Sequence, residues 1–258
     1  MSPWPNLNTK LINTEIEVTL DKSKKIISLV NAARMKAKFK RRWPLSRIVI
    51  CANDKSPLET KELSNILKKQ LNTKNIDIKI VNFSNFHEKV NSLYADNLVS
   101  VNAKPIISKI GPRLKNDLSK ALQAFEKVNL DDLYGQLMSR SYFNLKYSSG
   151  AVELSRDDIE IIYEGKPPYV MVESEQNDIM VFIDTTRSNE LISMGLVKDI
   201  ARHIQQLRKE RGFVPTEILS SAHISNLDPD DSLSLENYKK ELAYYVRVKD
   251  IVLSHDCM

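Results

Sequence analysis

Lys36-Ala37-Lys38-Phe39-Lys40-Arg41-Arg42-Trp43-Pro44-Leu45-Ser46-Arg47 is a dense cationic stretch, six of its twelve residues being Lys or Arg. Upstream, Ile26, Leu29, Val30, Ala33 and Ala37 recur at spacings of three and four and share one helical face, with Lys22, Lys24, Lys25 and Arg34 largely on the remaining surface. Pro44 cannot continue a helix and biases Trp43 away from helical backbone, so this helix is expected to stop near Arg41. Downstream, Arg47-Ile48-Val49-Ile50-Cys51-Ala52 is short, apolar and β-branched, which argues for a buried strand. The stretch therefore reads as a hinge between a helical part and an α/β part. Lys and Arg bind phosphates and release counterions, and a Trp stacks on an unpaired base. Lys36, Lys38, Lys40, Arg41, Arg42 and Arg47 are accordingly candidate phosphate contacts, and Trp43 a stacker or a domain anchor. The competing account is a solvated helix end, since the helix dipole favours cations there.

Working outward, a helix is expected over 57–71 with Leu58, Leu63, Ile66, Leu67 and Leu71 as its stripe, then an alternating strand over 76–81. A strand follows over 98–101. Pro112, after Gly111, fits the first turn of a helix whose face carries Leu114, Leu118, Ala121, Leu122, Phe125 and Val128. Asp131 is a candidate cap for the next helix. One or two short strands are expected around the Ser148-Ser149-Gly150 turn and another over 159–163, and a hairpin joins 169–173 to 179–184 across Glu175-Gln176-Asn177-Asp178. A long helix spans 189–211, capped by Ser188 and Gly212, with Val197, Ile200, Ile204 and Leu207 inward. Lys198, Arg202 and Arg208 project elsewhere and form a second candidate phosphate surface. The chain closes as strand, helix, strand over 218–224, 235–245 and 246–253. No repeat of fixed period is visible. The class is α+β, with mixed sheets.

The 258 residues carry a formal charge of +5, with a pI near 9.0, compatible with an RNA or DNA partner. Cys51 and Cys257 are too few for a disulfide framework and wrongly spaced for zinc; His87, His203, His223 and His255 are scattered, so no metal site is expected. No apolar run is long enough to span a bilayer, and the N-terminus lacks the layout of a signal peptide, which points to the cytoplasm. Six glycines form neither GxGxxG nor a P-loop, and no GxSxG occurs. Asp228-Pro229-Asp230-Asp231 reads as a solvated acidic loop before a helix, and His203 as an ordinary helix residue. No catalytic residue and no cofactor are expected in this chain.

Three segments, in order, resemble the C-terminal part of isoleucyl-tRNA synthetases of the archaeal and eukaryotic-like type. Asn31-Ala32-Ala33-Arg34 through Arg42-Trp43-Pro44-Leu45 is similar to the last anticodon-bundle helix and the turn into a strand, with Lys38 where a Gly is common. Ala103-Lys104-Pro105 with Gly111-Pro112-Arg113-Leu114 is similar to the family's Lys-Pro … Gly-Pro-Lys/Arg segment. Gly195-Leu196 through Arg202-His203-Ile204-Gln205-Gln206-Leu207-Arg208-Lys209-Glu210 is similar to its Arg-x-Ile-Gln helix, and Trp4-Pro5 to the Trp-Pro before the final bundle helices. The resemblance implies a partial anticodon-binding bundle over 1–46, an α/β domain over 47–187 and a long helix with a strand–helix–strand unit over 188–258. It implies isoleucine tRNA and the remaining synthetase domains as partners. ATP would be used in a catalytic domain absent here, since neither HIGH nor KMSKS occurs. A structural module that hardly touches RNA and a free-standing RNA-binding protein remain the alternatives.

Overall fold

Asn13 opens the first helix by accepting the N–H groups of Glu15 and Ile16 on its side chain, which satisfies donors that have no partner inside the helix. The computed structural model of the protein describes residues 13–53, 60–84 and 86–254, so the Trp4-Pro5, Pro57-Leu58, His255 and Cys257 readings lie outside the described residues. These residues form helices and small sheets, an α+β arrangement. They divide into two compact units: one built from 13–50, 60–79 and 183–254, the other from 51–53, 80–84 and 86–182.

The first unit begins with α1 (Thr14–Lys36), β1 (Leu45–Ala52), α2 (Lys61–Leu71) and β2 (Thr73–Ile80), with β2 beside β1. Ile26, Val30, Ala33, Leu45, Ile48, Ile50, Leu67 and Leu71 are buried, whereas Ile66, expected in the stripe of α2, is exposed. The helix α1 stops at Lys36, short of Arg41, because Lys38 turns left-handed at φ 53°. The Lys38 N–H then bonds the Met35 carbonyl at 3.0 Å and the Phe39 N–H the Arg34 carbonyl at 2.8 Å, closing the helix.

The second unit holds α3 (Phe86–Ala95), β3 (Val99–Pro105), α4 (Ile107–Leu114), α5 (Leu118–Phe125), α6 (Leu130–Arg140), β4 (Tyr142–Tyr147), β5 (Gly150–Ser155), β6 (Ile159–Gly165), β7 (Tyr169–Glu173) and β8 (Ile179–Asp184). β3 pairs antiparallel with β6, and β4 with β5 across the Ser148-Ser149 turn; β7 and β8 are neighbours, as the hairpin pattern predicts. Ile110, Leu114, Ala121, Phe125, Leu133 and Leu137 pack with Phe143, Leu145, Leu154 and Ile159. Pro112 lies inside α4 and not in its first turn; the helix ends two residues later at Leu114, and Lys115 takes φ 47°. Arg113 donates to Asp158 at 2.8 Å and to the Glu153 carbonyl at 2.5 Å, tying α4 to the strands. The buried Lys89 ammonium pairs with Glu173, which also accepts from the Tyr163 hydroxyl at 2.9 Å.

The chain returns to the first unit with α7 (Asn189–Glu210), β9 (Leu219–Ile224), α8 (Pro229–Asn237), α9 (Lys239–Val246) and β10 (Val248–Leu253). The helix expected over 235–245 is two helices, and Asp228, followed by Pro229, caps the first of them by accepting the Asp231 N–H. β10 runs parallel to β9, over a core of Val197, Ala201, Leu235, Leu242, Val246, Val248 and Ile251. Leu207 was expected inward and Arg208 outward; Leu207 is 55% exposed and Arg208 only 8%.

The two halves of this unit repeat one construction, although the sequence shows no repeat of fixed period. α7 ends as α1 does: Gly212 is left-handed at φ 75°, its N–H bonds the Lys209 carbonyl at 3.1 Å, and the Phe213 N–H bonds the Arg208 carbonyl at 3.0 Å. Arg34 donates to the carbonyls of Lys40, Trp43, Leu71 and Asn72, at chain separations of 6, 9, 37 and 38. Arg208 donates to those of Val214, Glu217, Val246 and Arg247, at separations of 6, 9, 38 and 39. Asn72 and Arg247 are both left-handed helix caps, and the carbonyl of each accepts from the first strand, Leu45 N–H at 2.9 Å and Leu219 N–H at 3.1 Å. Arg, Phe and Leu recur at Arg34, Phe39, Leu45 and at Arg208, Phe213, Leu219, while most residues between them differ, so a search for periodic sequence passes over the duplication.

A candidate nucleic-acid interface

The stretch 36–47 links α1 to β1 and lies within the first unit. Arg34 holds it from inside. The residue is 3% exposed, and its guanidinium spans Lys40, Trp43, Leu71 and Asn72 and sits 5.6 Å from the Phe39 ring centre. Burial, with the nearby Arg41 charge, lowers its pKa to about 10, which leaves it protonated at neutral pH. Trp43 is an anchor: its indole N–H donates to Asp199 of α7 at 3.0 Å, and its ring lies so close over Gly195 that a Cβ there would fall 2.5 Å from a ring carbon. Arg187 and Lys40 stand over the ring at 5.0 and 5.9 Å.

Asp199 collects three of these groups. Its Oδ2 accepts from Trp43 and from Lys40 at 3.0 Å, and Arg42 Nε lies 3.1 Å from Oδ1. That last contact is close enough to pair the charges, although Oδ1 lacks a hydrogen bond of good alignment. Burial opposes the Asp199 charge, but the Trp43 and Lys40 hydrogen bonds with the Lys40 and Arg42 charges outweigh it, leaving the carboxyl below its usual range.

Around this anchor a cleft of about 460 Å³ opens, lined by Arg41, Arg42, Lys69, Gln70, Asn72, Lys198 and Arg202. Its size falls in the range of roughly 300–1,000 Å³ that small-ligand sites occupy. Five of its seven lining residues are cationic and none is acidic, so its field favours an anion. Asn72 shapes the floor: its left-handed backbone turns α2 into β2, its amide donates to the carbonyls of Arg41 and Arg42 at 3.3 and 2.8 Å, and its Oδ1 accepts from Lys198 at 2.9 Å. Burial lowers the Lys198 pKa, partly offset by Glu241 and reinforced by Arg34. A half-buried ammonium resting on a neutral amide gains more from an approaching phosphate than a fully hydrated lysine does.

Of the expected contacts, Arg41, Arg42, Lys198 and Arg202 meet in this cleft. Lys36, Lys38 and Lys40 are exposed but do not line it, and Lys40 is held by Asp199. Arg47 pairs with Asp77. Arg208 is a correction: its guanidinium is buried and spent on four carbonyl oxygens, so it is not part of a phosphate surface. Lys69, Gln70 and Asn72 were missed; Lys69 carried a usable signal, a cation in the last turn of a helix. Among the described residues no group of three or more His, Cys, Asp or Glu is placed to hold a metal ion, and no helix is long and apolar enough to cross a membrane.

No protein-family model matches the chain. It is 30% identical over 210 residues to the isoleucine–tRNA ligase of Pyrococcus abyssi, matching 81% of this chain and 18% of that protein. It is 25% identical over 254 residues to that of Sulfolobus acidocaldarius, 97% of this chain and 22% of that protein, and 28% identical over 218 residues to that of Methanosarcina mazei, 84% and 20%. The chain spans about a fifth of the length of these curated relatives. Its curated homologues are thus isoleucine–tRNA ligases, archaeal enzymes among them.

Proposed function

We propose that the chain is the tRNA-binding C-terminal region of a cytoplasmic isoleucine–tRNA ligase, and that the cleft between the 36–47 link, the end of α2 and the middle of α7 grips the tRNA backbone. The observation that carries this reading is the gathering of Arg41, Arg42, Lys69, Lys198 and Arg202 around one opening whose lining holds no acidic residue, Asp199 engaging only Arg42 among them. A module that only packs on other domains has no need to concentrate cations in this way. The chemistry belongs elsewhere: ATP would be used in a catalytic domain that supplies activated isoleucine, and this chain alone is expected to show no ATP–pyrophosphate exchange. Its contribution would be positional, making the acceptor end effectively intramolecular with the activated amino acid. Ile16 and Leu20, one turn apart on α1, are exposed, an apolar pair suited to the remaining synthetase domains.

Filter binding of isoleucine tRNA and of an unrelated tRNA across a salt series tests the cleft. Arg41→Ala/Lys69→Ala/Arg202→Ala removes three exposed cations that take no part in the core, and is expected to lower affinity at low salt at least tenfold. It should also flatten the log–log salt slope by about one for each cation that had neutralised a phosphate. An unchanged affinity and slope would remove the cleft from the account.

A further inference from the structure

The duplication has a second cleft at the corner equivalent to the first. The corner of α2 and β2 presents Lys69, Gln70 and Asn72; the corner of α9 and β10 presents Tyr244, Tyr245 and Arg247 at the same spacing. Tyr244, Tyr245 and Arg247, with Ile218, Ala243 and Val248, line an opening of about 450 Å³. We infer that this cleft is a binding site for an unpaired RNA base, stacked on Tyr244 with its phosphate on Arg247. The inference rests on the tRNA-binding reading and extends it from backbone to base.

Tyr244 is 80% exposed, so its ring adds little to the core, whereas Tyr245 beside it is locked. The Tyr245 hydroxyl donates to Glu241 at 2.5 Å, and its backbone carbonyl accepts from Gln205 of α7 at 2.8 Å. The two rings lie 6.2 Å apart and tilted by 57°, so a flat ligand on Tyr244 meets a wall that does not move aside. Ile218, 63% exposed, adds an apolar edge. Arg247 is held in place by its backbone, whose carbonyl accepts from Arg208 and Leu219, while its side chain is exposed and pairs with no carboxylate among the described residues. An aromatic platform beside a cation suits single-stranded nucleic acid, since each base offers a π face and each phosphate a charge. α7 serves both clefts: Arg202 lines the first, and Gln205, about one turn further on, braces the Tyr245 carbonyl at the second.

The test compares a short single-stranded RNA with a duplex of the same length, using the full chain. Tyr244→Ala is expected to weaken single-strand binding roughly tenfold, leaving duplex binding and the salt slope unchanged, and Tyr244→Trp to restore it. Circular dichroism and urea midpoints should match the parent, because the ring lies outside the core. Equal losses on both RNAs, or no loss on either, would overturn the site. So would a variant that keeps RNA affinity but loses association with the remaining synthetase domains, since the cleft would then be a protein contact. If the Arg41→Ala/Lys69→Ala/Arg202→Ala chain loses affinity for both RNAs while Tyr244→Ala changes nothing, only the base site falls.

Discussion

The ends of α1 and α7 meet the same physical demand with partly different residues. Each helix leaves carbonyl groups unsatisfied at its end, and each is followed by a tight loop and a strand that leave more. A buried arginine answers both: Arg34 and Arg208 each donate to four carbonyls from two pieces of chain, a task suited to five donors in a planar fork. What lies outward has diverged. The first corner is lined by Lys69, Gln70 and Asn72 and the second by Tyr244, Tyr245 and Arg247. Carbonyls that must be paired hold the framework constant, and the residues facing solvent are left to specialise.

The largest effects are expected where that framework is cut. Arg34→Ala or Arg208→Ala strands four carbonyls, so each is predicted to lower unfolding stability by about 3–5 kcal/mol. Lysine should restore less than half, because an ammonium lacks the fork geometry. Urea denaturation reads both. A loss below about 1 kcal/mol at either site would break the equivalence of the two junctions.

A smaller effect separates the halves. Trp43 in the first is seated on Gly195, while Glu217, its counterpart, contributes only a backbone carbonyl to Arg208. Gly195→Ala pushes a methyl group into the indole and is predicted to cost about 1–3 kcal/mol. With Trp43→Ala alongside, that cost should vanish or reverse by up to about 1 kcal/mol, since alanine is the better helix former. A penalty that survives without the indole would mean that Gly195 is required for another reason.

The elements were largely legible in the sequence: the 169–184 hairpin, the Ser188 cap and the extent of α7 follow from alternation, turn residues and a capping side chain. The site was legible in part. Arg41, Arg42, Lys198 and Arg202 stand out as cations on two basic segments, but nothing local shows that Asn72 joins those segments through a bond spanning 126 residues. Arg208 was misread because hydrophobic periodicity assigns every arginine to solvent; it does not register four carbonyls converging from elsewhere in the chain. Leu207 and Arg208 exchanged places for that reason. The segments that carry the family resemblance hold Arg34, Arg113 and Arg208, all of which build the fold. The resemblance therefore identified relatives more readily than it located the cleft.

The smallest predicted effect bears on one pair of atoms. Lys38 and Gly212 occupy the same left-handed turn, at φ 53° and 75°, but only Lys38 carries a Cβ there. The left-handed conformation costs an L residue roughly 1–2 kcal/mol, a penalty glycine escapes at the expense of greater freedom in the unfolded chain. Lys38→Gly is thus predicted to raise stability by about 1 kcal/mol and Gly212→Ala to lower it by about the same, a few degrees in opposite directions by calorimetry. Since Lys38 does not line the cleft, RNA affinity and its salt slope should stay nearly constant in Lys38→Gly. A stabilised chain with sharply weaker RNA binding would instead place the Lys38 ammonium on the RNA, and the strained turn would then be the cost of holding it there.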